Sequence, residues 1–432
     1  MEATMQLTSD VLVIGAGIAG LTAALAAAQQ GCSVKLVGAG SGSYAISSGC
    51  IDLLGQIKGN LIQDPWSALP TLDAKHPYRL LGEETIKCAL NFFQTCLQNQ
   101  GSTFHIAQDA AGNSVNTLVP TILGTFKPSY LIPDTLDAEP LFAAKKILVC
   151  GVQGLRDMSP RLIQENFEKN PRMQGKVLDI TSLPPPQVHP PRSLSALDLA
   201  RFVNTKDGYT WLSTSLGRYR NTYDCILLPP ICGTEHASTI IEDLRTLLCT
   251  HVEEILCIPP GVGGLRMHDL LVNEANKEHV QCIENARINE ADVSQKICRK
   301  VVAKHASSEI TFLAKAFVLA TGGIYGGGID LTPNQCTEKI FSLPIVVQPT
   351  ELTESDIFAE HNFSKIGVVV NERLCPQNPR GETVLENVFL AGKILAGFDQ
   401  SAEKSGHGVA IATGYQAGIL AGNYAQEATR RA

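Results

Sequence analysis

The residues whose types and spacing most plainly suit chemistry are Gly15-Ala16-Gly17-Ile18-Ala19-Gly20. They lie between an apolar run, Val11-Leu12-Val13-Ile14, and an alanine-rich stretch from Leu21 to Gln30 that Gly31 stops. A chain leaving a buried strand into a helix needs glycine at these places. Gly15 allows the tight turn, Gly17 lets a phosphate approach the backbone, and Gly20 lets the helix pack closely on the sheet. The helix start then presents N–H groups and the positive end of its dipole to an anion. Gly15, Gly17, Ile18, Ala19 and Gly20 are the first candidate cofactor-binding residues.

One expected companion is missing. Dinucleotide sites usually carry Asp or Glu after the second strand, on the adenosine ribose. Here that strand, Val34-Lys35-Leu36-Val37, runs into Gly38, and no acidic residue occurs between Gly20 and Asp52. A phosphate cradle without an adenosine anchor weakens NAD and FAD and leaves room for FMN.

Three further loops have the texture that passes close to a flavin. Ser47-Ser48-Gly49 follows the second strand, where small side chains and hydroxyls let the backbone reach a cofactor. Thr321-Gly322-Gly323 follows the strand Ala316-Phe317-Val318-Leu319, and a strand ending in A-T-G-G recurs in two-dinucleotide-domain flavoproteins. Asn387-Val388-Phe389-Leu390-Ala391-Gly392 ends in Lys393, where such flavoproteins commonly have an aspartate for the ribityl chain. Gly406-His407-Gly408-Val409 then opens the last helix, whose N-terminus should face the flavin pyrimidine and stabilise the reduced anion. Thr321, Gly322, Gly323, Gly392, Gly406, Gly408 and Val409 complete the candidate set with Ser47, Ser48 and Gly49.

His407 is the candidate acid/base, because imidazole titrates near neutrality. A cap or loop histidine beside the flavin is the plainer reading, since no partner residue can be named. Arg266 and Lys127 are candidate phosphate or carboxylate binders against a solvent-facing role. Ser-His-Asp, H-E-x-x-H and P-loop patterns are absent. The thirteen cysteines contain no C-x-x-C pair, so no iron–sulfur or zinc site is expected and buried reduced thiols are.

The elements that must position these residues follow from length and periodicity. With 432 residues, two or three domains are expected, and 44% hydrophobic against 18% charged residues suits a folded chain. A formal charge of −7 offers no basic field for nucleic acid. No apolar run is long enough to span a bilayer, and the first ten residues lack a secretory pattern. The expected location is the cytoplasm, with the inner face of the membrane reached only through a partner. An amphipathic helix over 82–100 is marked by Ile86, Leu90, Phe93 and Leu97. A fresh strand, Lys146 to Gly151, and another, Cys225 to Leu228, fall in a middle region. α/β texture returns at Ala316–Ala320, Val368–Val370 and Val388–Ala391, before a C-terminal helix from about Gly408. The expected fold class is α/β: a Rossmann-like FAD/NAD(P)-binding domain from 1–125 plus 310–432, with an α/β second domain, 126–309, inserted.

Longer motifs carry a resemblance. Ser47-Ser48-Gly49-Cys50-Ile51-Asp52-Leu53-Leu54, Gly124-Thr125-Phe126-Lys127-Pro128-Ser129-Tyr130-Leu131, Lys145 to Leu155, Leu199 to Phe202, Pro259-Pro260-Gly261-Val262-Gly263-Gly264-Leu265-Arg266 and Gly397 to Glu403 occur in order along nearly the whole chain. In these the chain resembles the family of B subunits of anaerobic glycerol-3-phosphate dehydrogenase. The resemblance implies a flavoprotein, with FMN, in the oxidation of sn-glycerol 3-phosphate to dihydroxyacetone phosphate during anaerobic respiration. Two partners are implied as well: a catalytic, FAD-containing A subunit that holds the substrate, plus a membrane-associated iron–sulfur C subunit. Electrons would pass to the quinone pool and on to fumarate or nitrate. Two other readings stand beside it. A stand-alone FAD oxidoreductase of the fumarate reductase type, acting on a small carboxylate, predicts a His/Arg constellation among His236, His251, His268, Arg245 and Arg266. A non-catalytic scaffold that has lost its flavin would explain the two absent carboxylates.

Overall fold

The computed structural model describes residues 5–186, 193–305, 308–332, 335–345, 352–357 and 361–431. Residues 1–4 of the N-terminal reading lie outside these. Along the chain come β1 (Met5–Ile14), α1 (Ile18–Ala28), β2 (Val34–Val37), α2 (Pro77–Leu81) and α3 (Glu83–Gln98). Then follow β3 (Lys146–Val152), β4 (Val177–Leu183), β5 (Cys225–Leu228), α4 (Ala237–Leu248), β6 (His251–Glu254) and α5 (Val262–Lys277). The last group is β7 (Gln281–Ile283), β8 (Ala286–Ser294), β9 (Ile297–His305), β10 (Ser308–Leu319), β11 (Val388–Leu390), α6 (Gln400–Glu403) and α7 (Gly406–Arg431).

These elements form two compact units. The first comprises Met1–Ser43, Asp52–Cys96 and Leu270–Ala432, the second Tyr44–Ile51 and Leu97–Asp269. The second unit thus takes 44–51 and 97–269 where the texture of the sequence predicts an insertion over 126–309. The stretch from Leu270 goes with the first unit because β7 pairs with β2, and β8 and β9 extend the same sheet from β10.

The first unit is built on a sheet in the order β7-β2-β1-β10-β9-β8, with β11 also on β10. β1 runs parallel to β2 and β10, and β11 runs parallel to the end of β10. Val11 to Val13 are fully buried, as a central parallel strand covered on both faces requires. Residues Ile18 to Ala27 of α1 are all buried, so the helix has no polar face. It starts three residues before the stretch expected from alanine content, taking Ile18-Ala19-Gly20 into its first turn. The amphipathic helix appears as α3, with Ile86, Leu90, Phe93 and Leu97 buried. Val368–Val370 forms isolated bridges and no strand, because its partners are the single residues Ile345, Leu395 and Pro376.

The second unit holds a four-stranded parallel sheet, β4-β3-β5-β6. That order is doubly wound, the first strand lying between the second and third. Its core joins Ile147, Leu148, Val149 and Cys225–Leu228 to Ile163, Phe167, Leu199, Leu212, Ile241 and Leu244 of the flanking helices.

Candidate functional site

The glycine loop is shaped by three different constraints. At Gly15, φ is +118°, and an added Cβ would lie 2.2 Å from the Ala320 carbonyl oxygen at the end of β10. An added Cβ at Gly20 would lie 1.8 Å from the Gly15 carbonyl oxygen, so the helix starts directly against the turn. At Gly17 an added Cβ meets nothing within 4 Å. Gly17 occupies the N-cap position of α1 and no side chain caps that end. The first-turn N–H groups of Ile18, Ala19 and Gly20 thus lie behind an open glycine, with the helix dipole added. The buried Thr321 hydroxyl, which faces Gly328, lacks a hydrogen-bond partner among the described residues. The open, uncapped helix start fits a phosphate-bearing group.

The missing acid at Gly38 has a steric cause. A Cβ there would sit 2.7 Å from the Ala16 Cβ and 3.2 Å from the Gly40 carbonyl oxygen. The Gly38 N–H donates to Ile283 and its carbonyl accepts from Ala286, so its backbone is committed to the sheet. Gly42 packs against the glycine loop away from the open face of Gly17, an added Cβ falling 2.7 Å from the Gly17 Cα.

Helix α7 supplies the second half of the site. Added Cβ atoms at Gly414 and Gly418 would lie 2.4 Å from the Ala19 carbonyl and 2.3 Å from the Ala23 carbonyl, and Gly422 faces Gln30. Contacts that advance together along both helices make α1 and α7 parallel, their backbones touching through small residues. Gly414 lies opposite the first turn of α1, so α7 extends past it by the eight residues Gly406–Thr413, about 12 Å at 1.5 Å per residue. Two helix N-termini therefore face the same end of the unit, staggered by about two turns. This G-x-x-x-G-x-x-x-G stripe went unread in the sequence, although four-residue spacing was its signal.

Gly392, with φ +73°, sits where an added Cβ would meet the Ala19 Cβ at 2.8 Å, and its N–H donates to the Thr413 hydroxyl at 2.9 Å. It ties the end of β11 to both helices. Gly323 packs against Lys393, an added Cβ falling 3.1 Å from Lys393 Cγ, and Gly322 has φ +73°. Lys393 Nζ stands 4.7 Å from the Phe398 ring centroid and 3.4 Å from the Ile366 carbonyl oxygen. Burial pulls this amine down to about 8, against the opposing charges of Asp399 and Glu403. Gly406 and the half-buried His407 open α7, with Val409 buried behind them. The Gly408 N–H donates to the Asp52 carbonyl at 3.0 Å, and an added Cβ would lie 2.2 Å from the Tyr78 hydroxyl. Gly408 thus serves the packing of the helix start.

The remaining candidates belong to the second unit. Ser47 and Ser48 hydroxyls accept the N–H groups of Gly49 and Cys50 in local turns. Added Cβ atoms at Gly261 and Gly264 would fall 2.1 Å from the carbonyl oxygens of Ser47 and Tyr44, and Gly49 faces Gly263 at 2.6 Å. The glycines of the Pro259–Arg266 motif are therefore required by the backbone of residues 44–49. Arg266 is no free anion binder: its two terminal nitrogens hold Glu254 at 2.5 and 2.9 Å and its Nε donates to Gly233. Lys127 donates to Ser129 at 3.2 Å. His251 faces Glu253 at 2.9 Å, His268 faces Asp269 at 3.2 Å, and His236 is the N-cap residue of α4. Arg245 donates to the carbonyls of Val252 and Asp134. The proposed His/Arg constellation is thus dispersed among separate protein partners. Of the thiols, Cys50, Cys96, Cys150, Cys225, Cys232, Cys298 and Cys375 are buried, whereas Cys88 and Cys249 are exposed, contrary to a uniformly buried set. Burial pushes Cys150 up to about 12 and Cys375 up to about 11. Among the described residues no His/Cys/Asp/Glu group could hold a metal.

The family model described as an FAD binding domain matches residues 10–409. A protein of Halobacterium salinarum, named as a probable B subunit of anaerobic glycerol-3-phosphate dehydrogenase, is 29% identical, over 96% of this chain and 98% of its own. One of Vibrio vulnificus, named as the B subunit of the same enzyme, is 27% identical, over 94% of each. Among solved structures, the open conformation of a flavocytochrome c3 fumarate reductase is 11% identical with a TM-score of 0.43, over 97% of this chain and 78% of that one. The family description names FAD, whereas the resemblance to the B subunits implies FMN and the absent anchor at Gly38 leaves room for it. The flavin is common to both.

Proposed function

Because this chain belongs to the FAD binding domain family, we propose that it is the flavin-carrying B subunit of an anaerobic glycerol-3-phosphate dehydrogenase, with FAD as its flavin. The observation that carries this reading is the pair of parallel, staggered helix N-termini of α1 and α7. One lies behind an open glycine with no side-chain cap, as a phosphate requires. The other stands about 12 Å further on, counting eight residues at 1.5 Å each, as the ring at the other end of a flavin requires.

When bound, the flavin supplies two-electron and one-electron redox chemistry that no side chain here offers. The chain's own residues bind and orient it. Ile18, Ala19 and Gly20 donate N–H groups toward its phosphate across the open face of Gly17. Thr321, Gly322, Gly323 and Gly392 are proposed as further contacts to it. Gly406 and His407 place the positive end of α7 where negative charge develops on reduction. His407 lies at that end as a neighbouring imidazole.

The names of the relatives support membership of an assembly of several subunits. Its other members are proposed to be an FAD-containing A subunit plus an iron–sulfur C subunit, with sn-glycerol 3-phosphate as the substrate oxidised. No described helix is long and apolar enough to cross a membrane. Contact with the inner face of the cell membrane is proposed to come through a partner subunit.

Release of the cofactor with acid and its chromatography tests the flavin directly. FAD is the expected product. FMN would overturn the choice of flavin, and a colourless chain would leave the scaffold reading, which the filled space at Gly38 favours. Co-purification of the tagged chain with an iron–sulfur protein tests the assembly, and a fully active isolated chain would refute it.

A further inference from the structure

The start of α7 is held by a buried polar network that the proposed flavin contacts do not use. His76, 2% exposed, is the N-cap residue of α2. Its Nδ1 accepts the Tyr78 N–H at 3.1 Å, which assigns the ring proton to Nε2, and Nε2 donates to Glu403 Oε2 at 3.1 Å. The same Oε2 accepts the Ser405 hydroxyl at 2.9 Å, and Oε1 accepts the Asp399 N–H at 3.0 Å. The Glu403 carbonyl accepts the Gly55 N–H at 2.9 Å. Three donors converge on one side chain, and only a carboxylate, with no donor of its own, can accept all three.

Ser405 immediately precedes α7, so the carboxylate fixes the residue from which the helix departs. Two residues from His76, the Tyr78 hydroxyl donates to the Leu53 carbonyl at 2.8 Å and fills the space beside Gly408. His76 and Tyr78 thus brace the first turn of α7 from one short helix. The imidazole works through Glu403, and the phenol works by packing on Gly408 and by donating to the Ser405 carbonyl at 3.4 Å.

We infer that His76 is a positioning residue of the flavin site: through Glu403 it sets where the N-terminus of α7 stands relative to the flavin ring. This rests on the flavin reading above. A helix dipole falls off within its first turn, so a small displacement of Gly406 and His407 changes its stabilisation of negative charge. The effect bears on the reduced flavin more than on the oxidised one.

The test is the midpoint potential of the flavin bound to the full chain, read from the visible spectrum against redox dyes. For His76→Leu the ratio of reduced to oxidised flavin affinity should fall about tenfold, a drop of about 30 mV for a two-electron couple. Glu403→Gln should move the potential the same way, because an amide turns a donor toward one of the three donors. The double variant should add little to either single change. A His76→Leu chain that keeps its flavin and its potential while losing only thermal stability would overturn the inference. If that variant does not fold, an unchanged potential in Glu403→Gln overturns it instead. A wild-type chain that binds no flavin fails at an earlier step and refutes the flavin reading itself.

Discussion

Substituting alanine at Gly17 separates the binding role of the glycine loop from its architectural role. Gly17 has φ −79° and ψ −176°, an extended conformation open to any residue, and an added Cβ meets no atom within 4 Å. Stiffening the unfolded chain favours alanine by about 0.4–1 kcal/mol. Alanine is a poorer N-cap than glycine, which costs roughly the same order, up to about 1 kcal/mol. The two nearly cancel, so apo-protein stability should change by less than about 1 kcal/mol. The methyl group enters the face a phosphate must approach. Losing one charge-assisted hydrogen bond there costs about 1.5–3 kcal/mol, or roughly ten- to a hundredfold in affinity. Gly20→Ala is the contrasting variant, because its Cβ would lie 1.8 Å from the Gly15 carbonyl oxygen. It should lower stability by about 1–3 kcal/mol as the turn shifts. Urea unfolding of the apo chains gives the first quantity, and flavin fluorescence titration gives the second. Gly17→Ala binding flavin as tightly as the wild type, or unfolding as readily as Gly20→Ala, would refute the reasoning.

Lys393 should make stability rise with pH between about 8 and 10.5, because burial holds the native amine at about 8 while the unfolded chain keeps its proton up to its ordinary value of 10.5. Lys393→Met should flatten urea midpoints across that window. Glu253, fully buried, is pushed up to about 7 by desolvation, against the opposing influence of His251. The native state therefore holds a proton that the unfolded chain has released, so stability should fall as pH rises from 4.5 to about 7, and Glu253→Gln should remove that slope. Arg266→Met leaves the buried Glu254 charge without its bidentate partner and should cost about 3–5 kcal/mol in chemical denaturation. The double variant Arg266→Met with Glu254→Gln should recover part of that loss, and equal losses in both would refute the pairing argument.

The sequence alone determined what depends on neighbours along the chain. β1, α1 and β2 follow from an apolar run, a glycine turn and an alanine-rich stretch, all within thirty-three residues. The amphipathic period over Ile86, Leu90, Phe93 and Leu97 likewise fixed α3 without tertiary help. The absent acid at Gly38 was legible too, but its cause was not, since the Ala16 Cβ that excludes a side chain arrives only when the loop folds back. Tertiary structure decided whatever joins distant residues. It assigned 270–309 to the first unit through strand pairing, and engaged Arg266 with Glu254. It also laid residues 44–49 along the glycines of 261–264. The stagger of α1 and α7 was decided the same way. Glycines at 414, 418 and 422 mark a close approach in the sequence, yet only contact with Ala19 and Ala23 fixes how far one helix reaches past the other. That reach depends on backbone meeting backbone across nearly four hundred residues of chain, from Ala19 to Gly414, and no local pattern encodes such a register.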